Sequence, residues 1–223
     1  MSVEQHFTLG LLVLTASTGT IDAVSYLALD HVFTGNMTGN ILFLGFGIVG
    51  TAGIPFVNNA IALLGFVAGT IFSGRLIGHD QPKGLPRQSV YVLAVAILVI
   101  IALAVYWIVV RTIAGPAMLV ITFLLAVIMG GQLSAVRPIG NADVTTIVVT
   151  NTLGNLARDS RLARGHQNKW VVRLLAVSTM AVGAAIGALL VNWQGGPPAL
   201  LAAAIIFTGG ALTLIAADRR RAD

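Results

Sequence analysis

Residues 90–110 read VYVLAVAILVIIALAVYWIVV, an apolar run without a single charged side chain. A helix needs about 20 predominantly apolar residues to cross the ~30 Å hydrocarbon core of a bilayer. The run has this length, and it is therefore predicted to form a transmembrane helix.

Apolar segments continue on both sides of this run, and their lengths favour helices throughout. The eight predicted segments are 9–29, 36–49, 59–77, 90–110, 116–136, 144–157, 170–191 and 199–217. Segments 36–49 and 144–157 are too short to span the bilayer, because a helix rises only about 1.5 Å per residue.

The composition agrees with a membrane protein and excludes several classes of site. Of the residues, 57% are apolar and 9% are charged, whereas a soluble domain carries roughly 25% charged residues. The absence of cysteine excludes disulfides, thiol nucleophiles and thiolate metal sites. The net charge of +5 arises in loops and the C-terminal tail, as the positive-inside rule predicts, and requires no nucleic-acid partner.

The basic residues also predict which loops face the cytoplasm. Basic side chains cluster in residues 75–87, 158–173 and 219–221, which are therefore predicted to be cytoplasmic. The connections assigned to the far side are 50–58, 112–115 and 192–198. On this assignment both termini are cytoplasmic.

This sidedness limits the number of crossings. The chain between residues 115 and 158 must cross once although it holds two helical segments, so a break is expected at Arg137–Asn141, where proline and glycine interrupt the helix. The first pair of segments has the same form, with a break near residues 30–35. We therefore expect an all-α integral membrane protein with about six net crossings. They would form two inverted three-crossing repeats, residues 1–111 and 112–223, each opening with a broken or re-entrant helix pair.

Short motifs recur in the two halves. Residues 36–40 (NMTGN) match residues 151–155 (NTLGN) at the first, fourth and fifth positions, and Asp22 aligns with Gln132. Both third helices carry a pair of glycines four residues apart, a pattern typical of close helix packing. The pairs are Gly65 with Gly69 and Gly183 with Gly187. They could serve the contact between the repeats or a homo-oligomer.

Polar residues at the two breaks are the candidate site. Discontinuous helices in inverted repeats place binding sites near the bilayer midplane. The residues expected to line a solute or ion path are Asp22, Asn36, Thr38, Asn40, Gln132, Asn151, Thr152 and Asn155. The asparagines have an alternative role as hydrogen-bonding partners between helices.

Asp22 is the most informative of these residues, because a carboxylate at the bilayer centre costs about 2.5–3.5 kcal/mol on insertion scales. It is either a cation or proton site, with Gln132 orienting a solute, or a protonated or backbone-capping residue that holds the break. Arg137 and Asp143 flank the second break and are expected to form a structural or gating pair. His31 is expected to be an interfacial or capping residue, and no metal site is predicted.

Three motifs carry a resemblance to a known family: Gly19-x-x-Asp22-Ala23, the string FTGNMTGN at residues 33–40, and the Gly130-x-Gln132 segment that ends in Arg137. Over nearly the whole chain the sequence resembles the YoaK-like family of uncharacterised bacterial inner-membrane proteins. Members often show Gln-Asn-Ala where this chain has Gln-Leu-Ser at residues 132–134. The resemblance implies a compact helical protein of the bacterial inner (cytoplasmic) membrane, without a settled activity.

Three functions remain open. The favoured hypothesis is a transporter or channel for a small polar solute or ion, with proton coupling through Asp22 as one mode. The alternative is a structural or assembly protein without a path. An enzyme acting on lipid-linked substrates is least favoured, because the sequence lacks a nucleophile–base motif and clustered carboxylates. No cofactor is expected, and the expected partners are the lipid bilayer and the solute.

Overall fold

The computed structural model describes residues 2–141, 144, 146, 149–160, 163 and 169–222. Within these residues the chain forms eight α-helices, one short 3₁₀ helix and no strand. The helices are α1 Val3–Ala28, α2 Met37–Ile48, α3 Phe56–Ile77, α4 Arg87–Val110, α5 Pro116–Val136, α6 Val149–Arg158, α7 Trp170–Gln194 and α8 Gly196–Ala222, with the 3₁₀ helix at Arg137–Ile139. The predicted all-helical class is confirmed.

Six helices of the described chain are long and apolar enough to cross a membrane: α1, α3, α4, α5, α7 and α8. Helix α2 has 12 residues and α6 has 10, so each covers less than ~20 Å at about 1.5 Å per residue. Helix α6 also begins later than the predicted residue 144, since Val144 and Thr146 lie outside it. The protein is therefore a multi-pass membrane protein with two additional short helices.

The first helix packs mainly against the last two. The Ser17 hydroxyl donates a 2.9 Å hydrogen bond to the Ala203 carbonyl of α8, while Gly183 and Gly187 of α7 lie against Ala16 and Thr20 of α1. Helix α5 packs in a corresponding way against α3 and α4. Helix α1 of the first half thus packs against helices of the second half, and α5 of the second half packs against helices of the first half.

Both termini and two of the connections between helices lie at the same end of the bundle. Arg220 lies 2.9 Å from the His6 ring, and the Leu85 amide donates to the Asp218 carboxylate at 2.8 Å. Asn141, beyond the end of α5, donates to Thr8 at 3.2 Å. We call this the basic end, because it carries Lys83, Arg87, Arg137 and Arg219–Arg221.

The small-residue faces of α3 and α7 are occupied inside the molecule. A Cβ built on Gly65 would lie 2.6 Å from the Phe123 carbonyl oxygen, and one on Gly183 would overlap the carbonyl oxygen of Ala16. Gly69 and Gly187 are likewise buried. Of the two roles expected for these faces, the internal contact is the one observed. Contact with a second copy through these faces stays a prediction.

Candidate functional site

The segment between α1 and α2 is held by the Asp22 carboxylate. Its Oδ1 atom accepts hydrogen bonds from the backbone N–H of Gly35 at 2.7 Å and of Thr34 at 3.0 Å. The Thr34 hydroxyl lies 3.4 Å from the same oxygen. Asp22 is 5% exposed. One oxygen of the buried acid therefore performs the backbone-capping role that the sequence offered as an alternative.

The second oxygen of Asp22 is placed differently. Oδ2 is buried and has no hydrogen-bond partner within the described chain. Gly35 provides the room beside it, because a Cβ at this position would lie 3.2 Å from Oδ2 and 3.2 Å from Thr18 Cγ2. A buried acceptor without a partner costs about 1–3 kcal/mol. Oδ2 is therefore the oxygen of Asp22 that the described residues leave unsatisfied.

Asp22 lines a cavity of about 510 Å³. This volume lies within the roughly 300–1,000 Å³ range of small-molecule sites. Residues from α1, α2, α3, α5, α6 and α7 meet around it. The lining residues are Gly19, Asp22, Ala23, Tyr26, Leu27, Phe33, Gly35, Asn36, Met37, Thr38, Phe66, Leu133, Thr150, Met180, Ala184 and Ala188. Both short helices thus present their first turns to the cavity that Asp22 faces.

Gln132 is connected to Asp22 only indirectly, through a residue of α1. Its Nε2 donates to the Thr18 hydroxyl at 3.2 Å, and Thr18 lies one helical turn before Asp22. The Gln132 Oε1 atom is buried without a partner among the described residues. The structure therefore brings Asp22 and Gln132 to neighbouring positions, linked through Thr18.

The residues of the first asparagine motif, 36–40, have two different roles. Asn36 and Thr38 are accessible and line the cavity, and Asn36 also caps α2 by accepting from the Gly39 N–H at 3.4 Å. Asn40 is fully buried. It accepts from the Phe33 N–H at 3.1 Å and donates to the Phe33 carbonyl at 2.6 Å. Asn40 thus clamps the loop before α2.

This clamp leads to a stability prediction. Replacing Asn40 with alanine removes both partners of the Phe33 backbone, and each orphaned buried group costs about 1–3 kcal/mol. We expect Asn40→Ala to lower the midpoint of thermal unfolding of the purified protein more than Thr38→Ala does. Thr38 is the matched control because it lies on the same helix and is accessible. Equal midpoints for the two variants would contradict the clamp.

The second asparagine motif lies on α6, which packs against α7. Thr152 is buried, whereas Asn151 and Asn155 are exposed on the surface of α6. The Asn155 carbonyl accepts from Arg173 of α7 at 3.2 Å. From this helix the described residue that reaches the cavity is Thr150, one position before the predicted motif.

Arg137 lies at the basic end, away from the Asp22 cavity. It is exposed and lines a separate depression together with Arg75, His79 and Gln81. Asp143, its predicted partner, lies outside the described residues. Among the residues that the structure does describe, no group of three His, Cys, Asp or Glu side chains could hold a metal ion.

Sequence reasoning missed the aromatic wall of the cavity. The rings of Tyr26 and Phe33 stack with centroids 4.7 Å apart and planes inclined by 20°, and Phe66 approaches from α3. A signal for Tyr26 was present, because residues four apart share a helix face and Tyr26 follows Asp22 by four. Phe66 carried no such signal, since nothing in the sequence identifies its neighbour on another helix.

Comparisons with known proteins give a family but no activity. Residues 10–214 match the family described as a protein of unknown function (DUF1275). The chain is 36% identical over 190 residues to the UPF0700 transmembrane protein YoaK of Bacillus subtilis (strain 168), and the match covers 81% of each chain. No solved structure matches significantly.

Proposed function

The chain belongs to the DUF1275 family, as its motifs predicted, and we propose that it transports a small polar solute or ion through the cavity at Asp22. The observation that carries this proposal is the Asp22 Oδ2 atom, buried without a partner and belonging to a residue that lines the cavity. A residue that only capped the loop would need Oδ1 alone. In a transporter, a proton and a solute can bind in turn to the second oxygen.

The packing of the helices supports an inverted repeat. Helix α1 packs on α7 and α8, and α5 packs on α3 and α4; α2 contacts α3 as α6 contacts α7. Each of these contacts therefore has an equivalent when every helix of the first half is replaced by the corresponding helix of the second half. Helix α2 joins two helices at the end opposite the basic end, whereas α6 joins two helices at the basic end. Repeats of this form alternate access by rocking one half against the other.

The close helix crossings favour an alignment of α1 with α5 that differs from the one based on the sequence motifs. The glycine pair of α7 meets α1 at Ala16, and the glycine pair of α3 meets α5 at Phe123. Aligning these two crossings places Met129, rather than Gln132, at the position equivalent to Asp22. On this alignment the residue of the second half that corresponds to Asp22 is uncharged.

Sidedness follows from the basic end. Lys and Arg concentrate in cytoplasmic loops, so we assign this end, with both termini, to the cytoplasm and the protein to the bacterial inner membrane. Counted along α1, Asp22 lies six residues before the helix ends at Ala28. At about 1.5 Å per residue this places the acid ~9 Å from the far end of α1.

Proton coupling through Asp22 is part of the proposal. The titratable side chains among the described lining residues are Asp22 and Tyr26, and the rings of Tyr26 and His31 pack in a T-shaped arrangement with centroids 5.1 Å apart. Helices α3, α5 and α7 contribute Phe66, Leu133 and the uncharged residues Met180, Ala184 and Ala188 to this cavity. Asp22 is thus the group that can exchange a proton as a solute enters or leaves.

Thiol labelling tests the path, because the natural sequence contains no cysteine. We expect single cysteines replacing Thr38 or Thr150 to react with a membrane-impermeant thiol reagent, since both positions line the cavity. Cysteine in place of Ser25, which is fully buried and similar in size, is the matched control and is expected to stay unlabelled. The measurement is the labelled fraction in sealed vesicles of each orientation.

The outcomes separate transport from a structural role. Labelling at residue 38 or 150 that changes in the Asp22→Asn background supports a water-filled path controlled by the acid. Absence of labelling at both positions from either face would contradict the path and favour the structural alternative.

A further inference from the structure

Resting on the proposed transport function, we infer that the solute is a small organic monocation, an ammonium-type compound with apolar substituents. The charge balance of the cavity is the first support. Among its described lining residues Asp22 is the one acid, and none is lysine, arginine or histidine. An anion would meet a carboxylate there without a compensating cationic side chain.

The hydrogen bonds of Asp22 are the second support. Three donors from Thr34 and Gly35 converge on Oδ1, and hydrogen bonds to the ionised form stabilise that form. Oδ2 remains open. A ligand with one positive charge beside Asp22 would compensate the charge of the ionised carboxylate, which the protein itself balances with no cationic side chain among the described lining residues.

The walls select an organic rather than an inorganic cation. Calcium takes 6–8 oxygen ligands and magnesium demands an octahedral set, whereas most of the residues that line this cavity are apolar. A volume of about 510 Å³ also far exceeds that of a water molecule, whose share of the liquid is ~30 Å³. The site is shaped for a molecule with an apolar body.

Aromatic and thioether groups supply the contacts for that body. Tyr26 and Phe33 form a stacked pair, and Phe66, Met37 and Met180 complete the wall. Aromatic faces attract ammonium groups, and methionine adapts to ligands of irregular shape. These contacts explain why so apolar a cavity surrounds a carboxylate.

The same arrangement couples the solute to a proton. A proton on Oδ2 neutralises the carboxylate and removes the attraction for the cation, so the two compete for one oxygen. Entry of the cation releases one proton from Asp22, and entry of a proton releases the cation. The charge at the site is then the same in both loaded states, and the exchange is one for one.

Calorimetric titration of the purified full-length protein with benzyltrimethylammonium tests the inference. This probe is permanently charged, so any pH dependence of its binding belongs to the protein. We expect binding that weakens at least about tenfold in Asp22→Asn, because the amide removes the negative charge that attracts the cation. Asp30→Asn is the matched control, since Asp30 contacts Asn58 and does not line the cavity; its affinity is expected to stay unchanged.

Two comparisons make the result decisive even if Asp22→Asn folds poorly. With Asp22 intact, benzyltrimethylammonium is expected to protect a cysteine at position 38 from thiol labelling, whereas benzenesulfonate and the uncharged carbon analogue neopentylbenzene are not. Equal protection by the anion or by the uncharged analogue would overturn the assignment of a cation. Labelling at position 38 that the cation leaves unaffected would overturn the substrate class while the transport path stands, whereas absence of labelling overturns the path itself.

Discussion

Asp22→Asn is expected to abolish the pH dependence of solute flux while leaving the protein folded. The amide keeps a carbonyl oxygen that can accept from the Thr34 and Gly35 N–H groups, as Oδ1 does now, but it cannot release a proton. In proteoliposomes with a pH gradient, one-for-one exchange would accumulate benzyltrimethylammonium about tenfold per pH unit, since one unit corresponds to ~1.4 kcal/mol per proton. The variant is expected to show no accumulation above equilibrium.

The controls for this experiment distinguish coupling from folding. Asp30→Asn removes an acid at the end of α1 and is expected to accumulate the probe as the natural protein does. Size-exclusion profiles establish that both variants are folded. Gradient-driven accumulation that persists in Asp22→Asn would contradict proton coupling through this residue, whatever the solute.

Gly183→Ala is expected to have the largest effect on stability. A Cβ at this position would overlap the Ala16 carbonyl oxygen, and it would also lie 2.8 Å from Ala16 Cα. Both atoms belong to the backbone of α1, so the two helices must move apart to admit a methyl group. Overpacking costs typically about 1–3 kcal/mol and occasionally more, and we expect a loss of about 3 kcal/mol in the free energy of unfolding.

Gly45→Ala is the matched control for that variant. It also replaces a helical glycine, but no described atom lies within 4 Å of its Cβ position. Since alanine favours a helix over glycine by about 1 kcal/mol, Gly45→Ala is expected to be neutral or slightly stabilising. The measurement is unfolding in detergent followed by circular dichroism. A Gly183→Ala protein as stable as Gly45→Ala would show that the α1–α7 crossing is looser than described.

The class of the fold could be predicted from sequence because the bilayer constrains it strongly. The span length separates residues 90–110 from the short segment 36–49 without knowledge of any contact. The partners of each helix could not be predicted in this way. The glycine face of α7 fits any small-residue surface, and nothing in residues 183–187 indicates α1, more than 160 residues earlier, as the helix it meets.

The candidate site was predicted in part, and the reason differs by residue. Asp22 stands out because a charge in an apolar run is costly. Asn36 and Asn40 look alike in sequence, yet one caps a helix beside the cavity and the other clamps Phe33. Their roles depend on the path of the loop before α2. Contacts to the backbone determine that path. On α6, which the structure describes from Val149 onward, Thr150 rather than Asn151 reaches the cavity.

The exchange of helices between the halves has a consequence for biogenesis. Helix α1 emerges from the ribosome before α7 and α8, but its main packing surfaces are on these two helices. Until those helices have been inserted, Asp22 and the buried hydroxyls of α1 lack the surroundings that they have in the finished protein. Contacts between residues so distant in sequence are slow to form, and early synthesis exposes surfaces that associate wrongly. The nascent chain is therefore most vulnerable to degradation or misassembly before α7 and α8 have entered the membrane.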